Sequence, residues 1–249
     1  MNKLLEIKNV SLTYQTPSDE ITAVKDLSFD LNEGDFLSII GPSGCGKTTV
    51  LSMIAGLLKP TSGEILVDGK PVTDNVDLGY MLQKDQLFAW RTIEKNVLLP
   101  LEIKKRKNAE SIKFADALLE KYGLLEFKKK YPHQLSGGMR QRAALIRTLV
   151  SNPRLLLLDE PFSALDYQTR LAVEGDVYSI IKQEQKTTVL VTHDISEAIS
   201  MSDIIVVLTE RPAKVKSVFV PNVQGDTPIK RRESKEFGVL FEKIWRELN

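Results

Sequence analysis

Two glycine-rich loops constrain this chain more than any other feature. Gly41-Pro42-Ser43-Gly44-Cys45-Gly46-Lys47-Thr48 satisfies the pattern G-x-x-x-x-G-K-[ST]. Such a loop works only between a buried strand and a helix N-terminus, because its backbone N–H groups must converge on a phosphate. Phe36 to Ile40 is a short, mostly apolar run entering it, and Thr48 to Leu58 reads as the helix leaving it, ended by Lys59-Pro60. The second loop, Leu135-Ser136-Gly137-Gly138-Met139, is a turn opening another helix, shortly before the apolar run Leu155 to Leu158 and the pair Asp159-Glu160.

The first loop predicts a nucleotide site with an assigned role for each side chain. Lys47 reaches the β and γ phosphates and the Thr48 hydroxyl is a Mg²⁺ ligand. Gly41, Pro42, Ser43, Gly44, Cys45, Gly46 and Thr49 complete the nucleotide-binding set. Asp159 ends an apolar strand, where the Mg²⁺-associated carboxylate of P-loop enzymes stands. Glu160 is the candidate to polarise the attacking water, since alternation at the strand exit aims the two carboxylates differently. The other reading of the pair is a solvated Asp-Glu after a core strand.

His193 follows the apolar run Thr188 to Thr192, at the C-terminal edge of a parallel strand where ligands of open α/β sheets collect. Proton sharing or a γ-phosphate contact is its functional reading, and a structural histidine the alternative. Gln83 ends the strand Gly79 to Leu82, where its amide can hydrogen-bond metal or water. Ser136, Gly137 and Gly138 make a second anion-binding helix end, although an N-cap serine with a close-packed Gly-Gly turn accounts for the same residues. With two phosphate-binding helix ends and one P-loop, the economical arrangement is a head-to-tail dimer. Each nucleotide then lies between one copy's P-loop and the other copy's Ser-Gly-Gly loop.

Composition sets limits. The 249 residues suffice for a sizeable α/β core, and 34 Lys+Arg against 33 Asp+Glu give no chain-wide basic footprint for nucleic acid. No apolar run approaches the roughly 20 residues of a transmembrane helix, and Glu6 comes too early for a secretory signal. Any membrane part must come from another subunit. The single cysteine, Cys45, excludes an intrachain disulfide and suits a reducing compartment. A helix N-terminus can lower a thiol pKa, yet Cys45 reads as a tolerated small residue. A thiol reagent there is expected to block ATP binding by bulk.

Along the chain, Leu4 to Ser11 and Ala23 to Leu31 alternate as strands around a turn at Thr16 to Glu20, and Glu64 to Asp68 and Leu78 to Leu82 read as further strands. The stretch from about Lys84 to Gln134 reads as an all-helical insertion, with Ile112, Ala115, Leu118 and Leu119 on one stripe and Gly123 as a stop. The runs Leu155 to Leu158, Thr188 to Val191 and Ile204 to Leu208 alternate with helices at Asp166 to Gln183 and Ser196 to Met201, which predicts a largely parallel sheet. Val215 to Val220 reads as an edge strand and Gly225 to Arg232 as a polar connector. Glu236 to Leu248 is expected to be a docked helix, with Phe237, Leu240, Phe241, Ile244, Trp245 and Leu248 at helical spacing.

From Leu4 to Leu208 these motifs stand in the order found in the ATP-binding subunits of ABC transporters, and the chain resembles that family. In its terms Gly41 to Thr48 matches Walker A, Gln83 the Q-loop, Leu135 to Met139 the signature, Leu155 to Glu160 Walker B with its catalytic glutamate, Ser163 to Asp166 the D-loop and His193 the switch histidine. Tyr14 falls where the family stacks an aromatic on adenine, although an aromatic in a strand is more often core. The resemblance implies a single domain over 1–249. Its fold is α/β, a P-loop NTPase core with a mostly parallel sheet, an N-terminal antiparallel β portion, a helical subdomain at about 84–150 and a C-terminal extension at about 212–249. It also implies ATP and Mg²⁺ as cofactors and a homodimer that clamps ATP. The complex would lie at the cytoplasmic face of the cell membrane, with integral-membrane permease subunits and an extracytoplasmic solute-binding protein.

The segment Asp85 to Asn96 would then receive a permease helix. Leu87, Phe88 and Trp90 form either that docking patch or simple packing of the insertion. Gln83 to Val97, Tyr131 to Gln134 and Glu210 to Pro212 resemble the importer group for nitrate, sulfonates and taurine, which also includes importers of thiamine-precursor pyrimidines. A separate-subunit exporter or lipid-extraction complex is the alternative. A DNA-repair-type ATPase of the same superfamily is disfavoured by the compact spacing from Lys47 to Asp159. A GTPase is opposed by the lack of an Asn-Lys-x-Asp motif beyond the P-loop.

Overall fold

The computed structural model describes residues 2–17, 19–72 and 77–248. The turn expected at Thr16 to Glu20 includes Ser18, which lies outside them. Strands β1 (Lys3–Gln15) and β2 (Glu20–Asn32) pair antiparallel and run longer than their alternation predicts. β3 (Phe36–Ile40) is buried at every position and leads through the glycine loop into α1 (Lys47–Ile54). β4 (Ser62–Val67) and β5 (Lys70–Pro71) complete a four-stranded sheet of order β2-β1-β4-β5, and β6 (Leu78–Met81) starts a second one.

The segment after β6 has no helix until α2 (Ile93–Ile103), capped by the Thr92 side chain. α3 (Ala109–Lys121) starts with a capping box between Asn108 and Ser111 and carries the expected stripe, with Ala115, Leu118 and Leu119 buried. Two 3-10 turns, Leu125–Phe127 and Pro132–Gln134, lead to α4 (Gly137–Leu149). Then follow β7 (Leu155–Asp159), α5 (Tyr167–Gln183), β8 (Thr187–Val191), α6 (Ile195–Met201), β9 (Ile204–Leu208) and β10 (Val215–Phe219). The stretch 225–232, expected as a connector, contains α7 (Pro228–Arg232), because Thr227 caps it and Pro228 sits at its first turn. α8 (Lys235–Leu248) ends the described chain.

The second sheet has the order β10-β9-β3-β8-β7-β6, parallel except for the edge strand β10. Its central strands alternate between two apolar layers, as a period of two requires. Leu37, Ile39, Leu155, Leu157, Val189 and Val191 face α1 and the antiparallel sheet. Phe36, Leu156, Leu158 and Leu190 face the opposite way into a cluster that also holds Leu98, Leu118, Leu145 and Val177 of the helices. A single apolar cluster therefore joins the helices between β6 and β7 to the sheet. Ile40, Ile205 and Val207 pack under α6 and α8, where Ile244 is fully buried. Trp245, expected in that docked face, is instead 54% exposed and stacks on Phe241, since it stands one position off the seam.

Candidate active site

β3, β7 and β8 end side by side, so the loops that leave them converge at one edge of the sheet. A cavity of about 500 Å³ opens there, lined by Ser43, Gly44, Gly46, Lys47, Thr48, Thr49, Glu160, His193 and Arg211. Gly46 holds φ at +121°, and a Cβ there would also lie 3.2 Å from the Ala23 carbonyl oxygen, so the turn into α1 needs glycine. The Lys47 ammonium, buried against the loop, donates to the carbonyls of Gly41 at 2.8 Å and Pro42 at 2.9 Å. Its charge is thereby fixed under the loop, beside the start of α1.

The two carboxylates after β7 take different surroundings, as the alternation predicts. Asp159 accepts from the Thr48 hydroxyl at 3.2 Å and from the Tyr80 hydroxyl at 3.5 Å. Burial raises the Asp159 carboxyl above its ordinary range, with Glu160 adding to the rise and Thr48, Tyr80 and Lys47 opposing it. A cation at this point would relieve that burial penalty. One carboxylate beside one hydroxyl is the sparse donor set suited to a Mg²⁺ that also binds nucleotide phosphates and waters. Among the described residues no group of three or more His, Cys, Asp or Glu forms a closed metal cage.

Glu160 turns the other way. Its Oε2 lies 3.2 Å from His193 Nδ1 and accepts from Gln83 Nε2, also at 3.2 Å. Its backbone is held at φ +44° by a hydrogen bond from its N–H to the Val191 carbonyl at 2.8 Å. Glu160, His193 and Gln83, separated in sequence, thus meet at one carboxylate oxygen. Gln83 also donates to Ser163 Oγ at 3.3 Å, which places its amide on the Glu160 side of the site.

Tyr14 is half-exposed, its hydroxyl 3.5 Å from Thr49 Oγ1, so it stands beside the P-loop helix and outside the core. The Cys45 thiol is buried, and burial pushes its pKa up despite the nearby Lys47, as suits a small residue packed inside the loop. A thiol reagent has no exposed thiolate to attack. Two neighbours of the site are absent from the sequence-derived set. Tyr80 alternates inward from β6, and Arg211 donates to the Gly44 carbonyl at 3.0 Å across the cavity mouth. A basic residue just beyond a parallel strand's C-terminal end is the signal that points to Arg211.

The second glycine loop stands apart from this cavity. Ser136 caps α4 by accepting from the Met139 N–H at 3.3 Å, and a Cβ on Gly138 would come 2.8 Å from Val173 of α5. The close-packed cap is therefore real, and it leaves the Ser136 side chain exposed. The loop after β6 is pinned to the same helix. Arg147 donates to the carbonyls of Asp85 and Gln86, both at 2.6 Å, and Arg140 Nε lies 3.1 Å from the Asp85 carboxylate. Buried Asn96 holds the next turn through hydrogen bonds with the backbone of Phe88, Arg91 and Thr92. On this rigid turn Leu87 packs inward, whereas Phe88 and Trp90 stack at 4.8 Å and are exposed, Trp90 by 75%.

Comparison with known proteins matches residues 24–163 to the family described as ABC transporter. The chain belongs to the ABC transporter family. An ABC transporter ATP-binding protein of Bacillus subtilis, YtlC, is 51% identical over 248 residues, covering 98% of this chain and 95% of that one. The taurine import ATP-binding protein TauB of Roseobacter denitrificans is 38% identical, over 96% of this chain and 92% of its own. Among solved structures, the ATP-binding cassette MJ0796, a dimer bound to ADP and phosphate in a post-hydrolysis state, superposes with a TM-score of 0.74. It is 33% identical and covers 89% of this chain and all of its own. The α/β P-loop fold, the binding of ATP and the activity of an ATP-hydrolysing transporter subunit follow. No helix among the described residues is long and apolar enough to cross a membrane.

Proposed function

We propose that this chain is the ATPase subunit of an importer, in which two copies close around two ATP molecules and drive permease subunits. The observation that carries the reading is the convergence of His193 and Gln83 on one oxygen of Glu160, beside the phosphate-binding loop. Glu160 takes the proton of the attacking water, His193 orients that carboxylate and senses the γ-phosphate, and Gln83 links it to the segment leading to Trp90. Lys47 and the loop amides hold the phosphates, with Tyr14 against the adenine. Thr48, Asp159 and Gln83 would hold Mg²⁺, which would offset charge on the transferring phosphoryl oxygens.

Ser136, Gly137 and Gly138 lie outside the cavity of their own chain, so the anion-binding end of α4 is left for the nucleotide of a second copy. The whole chain, 1–249, acts as one domain, with a helical subdomain at about 84–150 and an extension at about 212–249. The exposed Phe88–Trp90 pair, held by Asn96 and Arg147, is a firm surface for a helix of the permease. Docked in this way, the subunit would sit peripherally on the cytoplasmic face of the cell membrane. The TauB likeness and the Gln83 to Val97 segment favour a small anion of the nitrate, sulfonate or taurine type, with a thiamine-precursor-like solute next, delivered by an extracytoplasmic binding protein. Steady-state hydrolysis tests the site. Glu160→Gln should lower kcat at least about 100-fold while Mg-ATP binding persists. Hydrolysis within about twofold of the wild type would remove Glu160 from the reaction.

A further inference from the structure

The segment after β9 contributes more to the site than cover. Glu174 on α5 is fully buried, and its Oε2 accepts from Arg232 of α7. Its other oxygen, Oε1, has no hydrogen-bond partner among the described residues. One turn earlier on α5, Arg170 donates through Nη2 to the Leu165 carbonyl at 3.2 Å, while its Nη1 lies 3.5 Å from Asp194 and 4.0 Å from Glu197. Both acids follow His193, Asp194 directly and Glu197 in the first turn of α6. Asp194 accepts from the N–H groups of Ser196 and Glu197, and Glu197 accepts from the Thr192 hydroxyl at 2.5 Å. Arg170 therefore ties the loop at 163–166 to the His193 loop, and Arg232 answers the buried carboxylate of Glu174.

We infer that Arg232 is a positioning residue for hydrolysis: by neutralising Glu174 it leaves Arg170 to bridge the two loops. A buried carboxylate needs a cationic partner. Without Arg232, the other cation acting on Glu174 is Arg170, and that side chain swings away from Leu165 and Asp194. His193 then loses the support that holds it against Glu160. The groups facing Glu174 are Arg170 on its own helix, Arg232 on α7, and Asp194 and Glu197 at the start of α6. Burial pushes the Glu174 carboxyl up to about 7 despite both arginines, with Asp194 adding to the rise. Arg232 is among the groups that hold this carboxyl down, so without it Glu174 ionises only at higher pH; only the ionised form draws Arg170, and the effect of losing Arg232 therefore grows as the pH rises. The inference rests on the roles proposed for Glu160 and His193.

Steady-state ATP hydrolysis by the full chain tests it with four variants, Arg232→Gln, Arg232→Lys, Glu174→Gln/Arg232→Gln and Glu160→Gln. Arg232→Gln should lower kcat about tenfold at mildly alkaline pH and less at mildly acidic pH, with the KM for ATP within about twofold. Arg232→Lys and the double variant should recover most of that loss, because one restores a cation and the other removes the competing carboxylate. Wild-type kcat in Arg232→Gln overturns the inference. So does a double variant as impaired as Arg232→Gln, which would make α7 a packing element only. Failure of Glu160→Gln to abolish hydrolysis would instead strike the proposed site, and the two failures are read from separate variants.

Discussion

Glu160 sits in the left-handed region at φ +44°, a backbone conformation few non-glycine side chains adopt without support. The support is visible in the Val191 carbonyl that takes its N–H and in Ser163, whose N–H and hydroxyl both donate to the Glu160 carbonyl. The twist turns Glu160 away from Asp159 and towards His193. At this scale the sequence was most legible where a residue type has few other uses, as with Lys47, Thr48 and Asp159 in their motifs. It was silent on Arg170 and Arg232, whose charged partners lie far along the chain and leave no local pattern. Arg211 carries its own expectation. Its guanidinium donates to the Gly44 carbonyl and lines the cavity, placing a positive charge near the phosphates. Arg211→Gln should weaken ATP binding about fivefold to tenfold, seen by titration calorimetry, with a smaller change in kcat. Unchanged affinity would make the contact a loop latch alone.

Elements were read well wherever one face is buried against the sheet. Leu155 to Leu158 and Ile204 to Leu208 are apolar at each position because parallel strands are covered on both faces. The longer reach of β1 and β2 was hidden because their ends are half-exposed and carry polar residues such as Glu20 and Asn32. α7 was missed because five residues, three of them basic, give no periodicity, and only the Thr227 cap and Pro228 mark it. α8 shows how an element is attached. Ile244 is its one fully buried residue, set into Ile40, Ile199 and Ile205, with Phe237, Leu240, Phe241 and Leu248 partly covered around it. Ile244→Ala removes the centre of that contact, and losses for such truncations run at about 2–5 kcal/mol. Because the rest of α8 is half-exposed, the helix should loosen before the sheet does. Limited proteolysis should cut between β10 and α8 faster in the variant, at a stage when far-UV circular dichroism is still close to the wild type. An unchanged cleavage rate would mean that the flanking aromatics alone hold the helix.

Across the whole molecule, one parallel sheet brings the ends of β3, β7 and β8 together and so assembles a nucleotide site from loops more than 100 residues apart in sequence, Thr48 and Asp159 among them. The same architecture keeps Ser136 to Gly138 outside that cavity, packed on α5 and opening towards solvent. The order of motifs showed that both loops exist. The packing of Gly138 on Val173 and the pinning of the post-β6 segment by Arg140 and Arg147 are tertiary contacts that order alone does not specify. A clamp of two copies is the central claim, because only a second chain brings the Ser136 loop to a P-loop. Sedimentation velocity of Glu160→Gln with and without Mg-ATP tests it most directly. The account predicts a monomer without nucleotide, a dimer with Mg-ATP, and loss of that dimer when Ser136→Arg is added while ATP binding to the monomer persists. A monomer at saturating Mg-ATP, or a dimer indifferent to Ser136→Arg, would contradict it.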